Sequence, residues 1–281
     1  KAGLYINRRG LKDRYTVKGI KVLSPSEVGD IDQQAQNGIY HYIDGILTYN
    51  TLTRDVVFND RIRIDAVTLS PEFMNCGARG NVDNATGFKI IDGWDFHGHT
   101  PTICLRQRSV WMQTYQDCVD VKGQFDISFK LPPVPENTYE VRFAYGAGVM
   151  RGVVQVYFGT KDNMQPMGIP IDLRIFGGNP TIGWVADTED DEETNQAIDK
   201  AMHNRGYMKD MDSWWQGGQN ILRDQSGKLR KILCTQTMSP DKEYWVRLKL
   251  VLENPEAEFP INYFELCPKS VYAGVVAEDT H

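Results

Sequence analysis

FDISFKLPPVPENTYEVRFAYGAGVMRGVVQVYF, residues 125–158, is the stretch whose reading decides the fold. Phe125, Ile127, Phe129 and Leu131 alternate with Asp126, Ser128 and Lys130. Tyr139, Val141, Phe143 and Tyr145 alternate with Glu140 and Arg142, and Val154, Val156 and Phe158 keep the rhythm. A period of two puts one set of side chains on a core and the other toward water, which is the pattern of half-buried strands. Between the first two strands stand Pro132, Pro133 and Pro135, which cannot extend a hydrogen-bonded ladder and mark a loop. The stretch therefore predicts consecutive antiparallel strands.

Working outward, residues 61–69, 88–91, 102–107, 123–131, 138–145, 153–158, 244–252 and 261–267 read as strands separated by turn residues. Their number and spacing predict an all-β fold, an antiparallel jelly-roll-like β-sandwich over residues 54–281. One segment interrupts the pattern. Residues 187–193 hold six acids in seven positions, and residues 194–205 follow with Ile198, Ala201 and Met202 on one face. His203 and Arg205 close that run before Gly206. Acids at the start, bases at the end and a terminal glycine predict one helical insertion near 190–205. Residues 207–230 read as a long irregular segment rich in Gly, Gln, Asp and Trp.

The 281 residues suffice for one large sandwich with insertions. The formal net charge of -6 argues against a nucleic-acid partner. No apolar run approaches the roughly 20 residues that span a bilayer as a helix. The five cysteines, Cys76, Cys104, Cys118, Cys234 and Cys267, form no zinc-ligand spacing and read as buried thiols, with one disulfide left open. Residues 1–50 differ from the rest, with seven Lys/Arg against five Asp/Glu.

Residues 37–47 read NGIYHYIDGIL. They resemble the second signature of fasciclin domains: an Asn-Gly pair, an apolar pair, His41, the Ile43-Asp44 step and a closing Leu47. By this resemblance residues 1–53 are a short N-terminal fasciclin remnant, the C-terminal part of such a domain. A second resemblance covers residues 120–267. FDISFKLPPVPENTYEVRFAY, then GVVQVYF, then YWVRLKLVLENPEAEFPINYFEL is similar in order to family 6-type carbohydrate-binding modules, which share the galactose-binding-like jelly roll. Together the two parts resemble fasciclin-domain surface lipoproteins of Bacteroidetes glycan-uptake systems. That resemblance implies a lipid-anchored, extracytoplasmic protein of the outer-membrane cell surface. It also implies a polysaccharide or oligosaccharide ligand and a glycan-uptake complex as partner.

The residues themselves offer less specific chemistry. No nucleophile-elbow, zinc-protease, P-loop or dinucleotide fingerprint occurs, and paired carboxylates are uninformative among 37 acids, so a non-catalytic protein is expected. His97 and His99, near Asp92 and Asp95, read as a polar loop rather than a metal site. The acids of 187–193 lack calcium-loop spacing and read as a helix start, so no cofactor is expected, although a structural calcium stays open. Aromatic rings on loops are the more suggestive feature, because sugars stack their C–H faces on Trp and Tyr. Trp214 and Trp215, with Tyr207, Asp212 and Gln216 as hydrogen-bonding neighbours, are the predicted ligand-binding residues; the bland reading has a Trp anchoring the insertion. The expected function is carbohydrate binding or surface assembly, with a protein-binding adhesive subunit or an unrecognised glycoside hydrolase as alternatives.

Overall fold

The computed structural model describes residues 58–75, 93–107, 117–211 and 222–274, with short pieces at 16–17, 20–21, 33–35, 38–40 and 42. The chain divides into two units, Lys1–Phe58 and Asn59–His281. In the first, β1 (Thr16–Val17) pairs with β2 (Ile20–Lys21), and β3 (Gln33–Ala35) pairs with β4 (Gly38–Tyr40), both antiparallel. The rest of the fasciclin-like stretch, Tyr42 aside, lies outside the described residues, as do residues 88–91.

The second unit is an all-β antiparallel sandwich. Its strands are β5 (Ile62–Asp65), β6 (Trp94–Asp95), β7 (Thr102–Gln107), β8 (Asp117–Lys122), β9 (Asp126–Lys130), β10 (Asn137–Gly146), β11 (Val153–Thr160), β12 (Asn163–Pro166), β13 (Ile171–Asp172), β14 (Tyr207–Lys209), β15 (Lys228–Met238), β16 (Tyr244–Leu250) and β17 (Glu258–Pro268). Short helices α1 (Pro71–Asn75) and α3 (Lys269–Tyr272) flank one long helix, α2 (Glu192–Asn204). Among the described residues one sheet runs β14-β15-β10-β17-β8-β7 with β5 also on β17, and the other runs β12-β11-β16-β9-β6 with β13 on β11. The chain crosses between the sheets repeatedly, with β8 to β9, β9 to β10, β10 to β11, β15 to β16 and β16 to β17 among the crossings. The predicted sandwich and its single substantial helix are both present.

The alternation quoted first explains the core. Phe125, Ile127 and Phe129 face inward from the smaller sheet and are fully buried, as are Phe259 and Phe264 from β17 of the larger. Phe125 stacks on Phe259 at 5.9 Å and Phe129 meets Phe264 edge-on at 5.4 Å, so aromatic rings bridge the two layers. Each such ring contributes about 1.5–3 kcal/mol by leaving water. Trp94 closes the edge of the smaller sheet, stacked on Phe129 at 4.7 Å.

Two expectations are corrected. Residues 207–230 are not irregular throughout: β14 and the first residues of β15 lie there, and β15 is an eleven-residue strand beside β10. Its register shifts opposite Val141 and Arg142, where Cys234 and Ile232 are the successive partners. That bulge breaks the period of two, and the outward Arg230 is buried, so the strand shows no clean alternation. Residues 61–69 are not one strand either. The Asp65 side chain accepts a bond from Val67 N at 3.1 Å and caps a 3₁₀ turn over Ala66–Leu69.

The outward face of the larger sheet carries a buried ion network. Glu265 accepts bonds from Arg63 at 2.6 Å, Arg142 at 2.8 Å and Arg230 at 2.9 Å. Burial alone would raise the Glu265 pKa, but the arginines hold it well below the usual carboxylate range. Arg142 also reaches Glu140 at 2.5 Å, and His203 of α2 lies 3.1 Å from the same carboxylate. The network thereby ties the helical insertion to the middle of the sheet.

Candidate functional site

Antiparallel register brings the β8–β9 crossing and the β16–β17 turn to one end of the sandwich. Lys122 of β8 stands opposite Glu258 of β17, and Asp126 of β9 opposite Lys249 of β16. The segment before β7 reaches the same end, because Thr102 pairs with Lys122. These three connections enclose an open cleft of about 600 Å³ lined by His99, Gln124, Lys249, Leu250, Val251 and Glu253.

Each lining group has a structural reason for its place. Gly123 takes φ 89, a left-handed turn natural to glycine, and its N–H donates to Ala257 O at 2.8 Å. That turn aims Gln124 across the cleft floor. Its amide nitrogen donates to Leu250 O at 3.0 Å, and its amide oxygen accepts from Asn254 N at 3.2 Å. Gln124 is therefore a brace for the 250–254 turn, with both amide ends used. Lys249 is the last outward residue of β16, Leu250 is buried, Val251 supplies apolar surface, and Glu253 stands exposed at the rim. His99 is set by its own N–H on Phe96 O at 2.9 Å.

The polar groups around this open cleft, with Val251 beside them, suit a ligand bearing hydroxyls. Acid–base hydrolysis of a glycoside needs two opposed carboxylates. Among the described residues lining the cleft, Glu253 is the one carboxylate.

The residues predicted from sequence fall differently. Trp214, Trp215, Asp212 and Gln216 lie outside the described residues. Tyr207 sits in β14, packs against the core, and carries the Lys231 ammonium 4.1 Å over its ring. Burial and then the nearby Asp172 raise its pKa. The two ends of the Trp-bearing segment rise from the same end of the sandwich as the cleft, since Lys209 pairs with Leu229 at the start of β15.

An ion cluster joins those two ends. Asp187 takes bonds from Lys209 at 2.5 Å and from Arg223, which also reaches Asp199 of α2 at 2.6 Å. Burial would raise the Asp187 pKa, but these cations lower it. Trp184 donates its indole N–H to Arg223 O at 3.2 Å.

Two of the acids considered as metal ligands have protein partners. Asp187 is ion-paired, and Asp191 caps α2 by accepting from Thr194 N at 3.1 Å. No group of three or more His, Cys, Asp or Glu able to hold a metal occurs among the described residues. His97 Nε2 lies 2.9 Å from Ser128 Oγ, a spacing that suits a nucleophile and its base. Ser128 is only 1% exposed, which closes it to a substrate. Cys104, Cys118 and Cys267 are buried, and burial pushes the Cys234 thiol up to about 12.

No family model and no curated protein matches this chain. Among solved structures, a xanthan lyase from Paenibacillus is similar at 10% identity and a TM-score of 0.32. The similarity covers 66% of this chain and 13% of the lyase chain. At that TM-score the likeness carries no argument about function.

Proposed function

We propose that this protein is a non-catalytic carbohydrate-binding sandwich that takes a polysaccharide or oligosaccharide in the cleft between the β8–β9 and β16–β17 connections. The observation that carries this reading is the open cleft itself, with a floor braced by Gln124 and a mainly polar lining. The resemblance of residues 37–47 to fasciclin domains adds the setting: an extracytoplasmic, lipid-anchored protein at the outer-membrane surface beside a glycan-uptake complex. Trp214 and Trp215 are proposed as further sugar-stacking rings.

Affinity gels cast with a panel of soluble polysaccharides test the reading. At least one should retard the folded protein, with no reducing sugar released on long incubation. Trp214→Ala and Trp215→Ala should weaken retardation if the rings stack on sugar. They should lower Tm without changing retardation if the rings only anchor the insertion. Absence of retardation by every polysaccharide rejects carbohydrate binding.

One observation favours a protein-binding adhesive role as a second reading. Val149, Met150 and Leu252 expose 81%, 49% and 53% of their surface near the same end. Self-association lost in Val149→Ser would support it.

A further inference from the structure

The charged groups beside the cleft are engaged to different degrees. Asp126 is buried, and both its oxygens are used by Arg247, at 2.6 Å to Nε and 2.7 Å to the terminal nitrogen. This bidentate pairing satisfies the carboxylate. Arg247 is further fixed by lying 5.2 Å over the Tyr157 ring. Lys249 stands 3.8 Å from Asp126 Oδ2, beyond hydrogen-bonding distance. Arg247 is held by Asp126 and also feels Asp95, while Lys249, which lines the cleft, keeps a longer ion pair to Asp126. The Lys249 side chain is 43% exposed. Gln124 spends one N–H and one lone pair of its amide on the 250–254 turn.

The geometry points to an anionic saccharide, one bearing carboxylate or sulfate groups, as the ligand class of this cleft, with Lys249 as the specificity-determining residue. This rests on the carbohydrate-binding reading above. A neutral sugar leaves the Lys249 ammonium with its long ion pair and water, whereas an anionic group gains a charge-assisted hydrogen bond, roughly twice as strong as a neutral one. His99 supplies a further polar contact from the opposite connection. Glu253 opposes an anion, but it stands exposed at the rim, where solvent and salt screen it. The two rim charges should therefore act with opposite sign on the same ligand.

Titration calorimetry on the full chain tests this with three probes of matched length: an oligogalacturonate, a sulfated galactan oligosaccharide and a neutral galacto-oligosaccharide. At least one acidic probe should bind more tightly than the neutral one, and more weakly as salt rises. The better acidic probe tells carboxylate from sulfate. Lys249→Gln should weaken acidic binding by about tenfold or more. Glu253→Gln should strengthen it, and Lys249→Gln should weaken neutral binding by a smaller factor than acidic binding. Circular dichroism confirms that both variants fold. Neutral binding as tight as acidic binding, or an equal loss for every probe in Lys249→Gln, overturns the inference and leaves carbohydrate binding standing. Absence of binding by these probes and by every polysaccharide of the gel panel removes both.

Discussion

Gly159 and Glu265 show how single positions constrain this sandwich. Gly159 has φ 152 in β11, and a Cβ there would stand 2.2 Å from Asn163 O. The contact is with backbone at a tight hairpin, so nothing nearby can yield cheaply. Gly159→Ala should destabilise the protein by about 1–3 kcal/mol, read by urea unfolding. Glu265 is the anion shared by three arginines. Glu265→Gln leaves buried guanidinium charge uncompensated and should cost about 3–5 kcal/mol. Neither role is legible in the sequence. Gly159 looks like any glycine near a turn, and Glu265 sits in a strand at an outward position where a solvated acid is the ordinary reading. The charge partners come from strands far apart in the chain, and only the fold brings them together.

Elements were legible where one face is apolar and the period is unbroken. β9, β10, β11 and β16 show that pattern plainly, and their core residues are buried as the alternation implies. The helix α2 was legible from its ends: Asp191 caps it and Gly206 follows it with φ 77. Asp191→Ala should fray the first turn, seen as faster amide exchange at residues 192–195 with little change elsewhere. β15 escaped because a bulge interrupts its alternation. β8 escaped because it offers only Val119 and Val121 inward, while its outward Cys118 and Asp120 are themselves buried. The cleft escaped for a related reason. Gln124, Lys249 and Glu253 are ordinary polar residues at strand ends, and the register that gathers them is a property of the paired sheets.

At the scale of the whole molecule, buried charge sets the response to pH. Glu265 and Glu140 have native pKa values below their unfolded ones, because arginine and histidine partners outweigh burial. Their stabilisation is complete above the unfolded carboxylate pKa of about 4.3, and is lost as pH falls through the native values. Tm should therefore hold through neutral pH and fall steeply below about pH 4.5. Asp210 runs the other way. Burial raises its pKa against the Tyr263 hydroxyl bond at 2.6 Å. Its contribution is present below the unfolded pKa and declines as pH rises through the native one. Asp210→Asn keeps an acceptor for Tyr263 and removes the charge. The Tm of Asp210→Asn relative to the unmodified protein should rise between pH 4 and pH 8, and a flat difference would show that the charge is already compensated.

The account rests on a carbohydrate being held in the cleft at the β8–β9 and β16–β17 end. The most direct test is an NMR titration of the isotopically labelled full chain with a polysaccharide fragment that retards it in affinity gels. The account predicts that amide shifts move at His99, Gly123, Gln124 and residues 249–253, and that Gln124→Ala, by releasing the 250–254 turn, weakens them. Shifts confined to residues far from this cleft, or no shifts at a saturating ligand concentration, would contradict it.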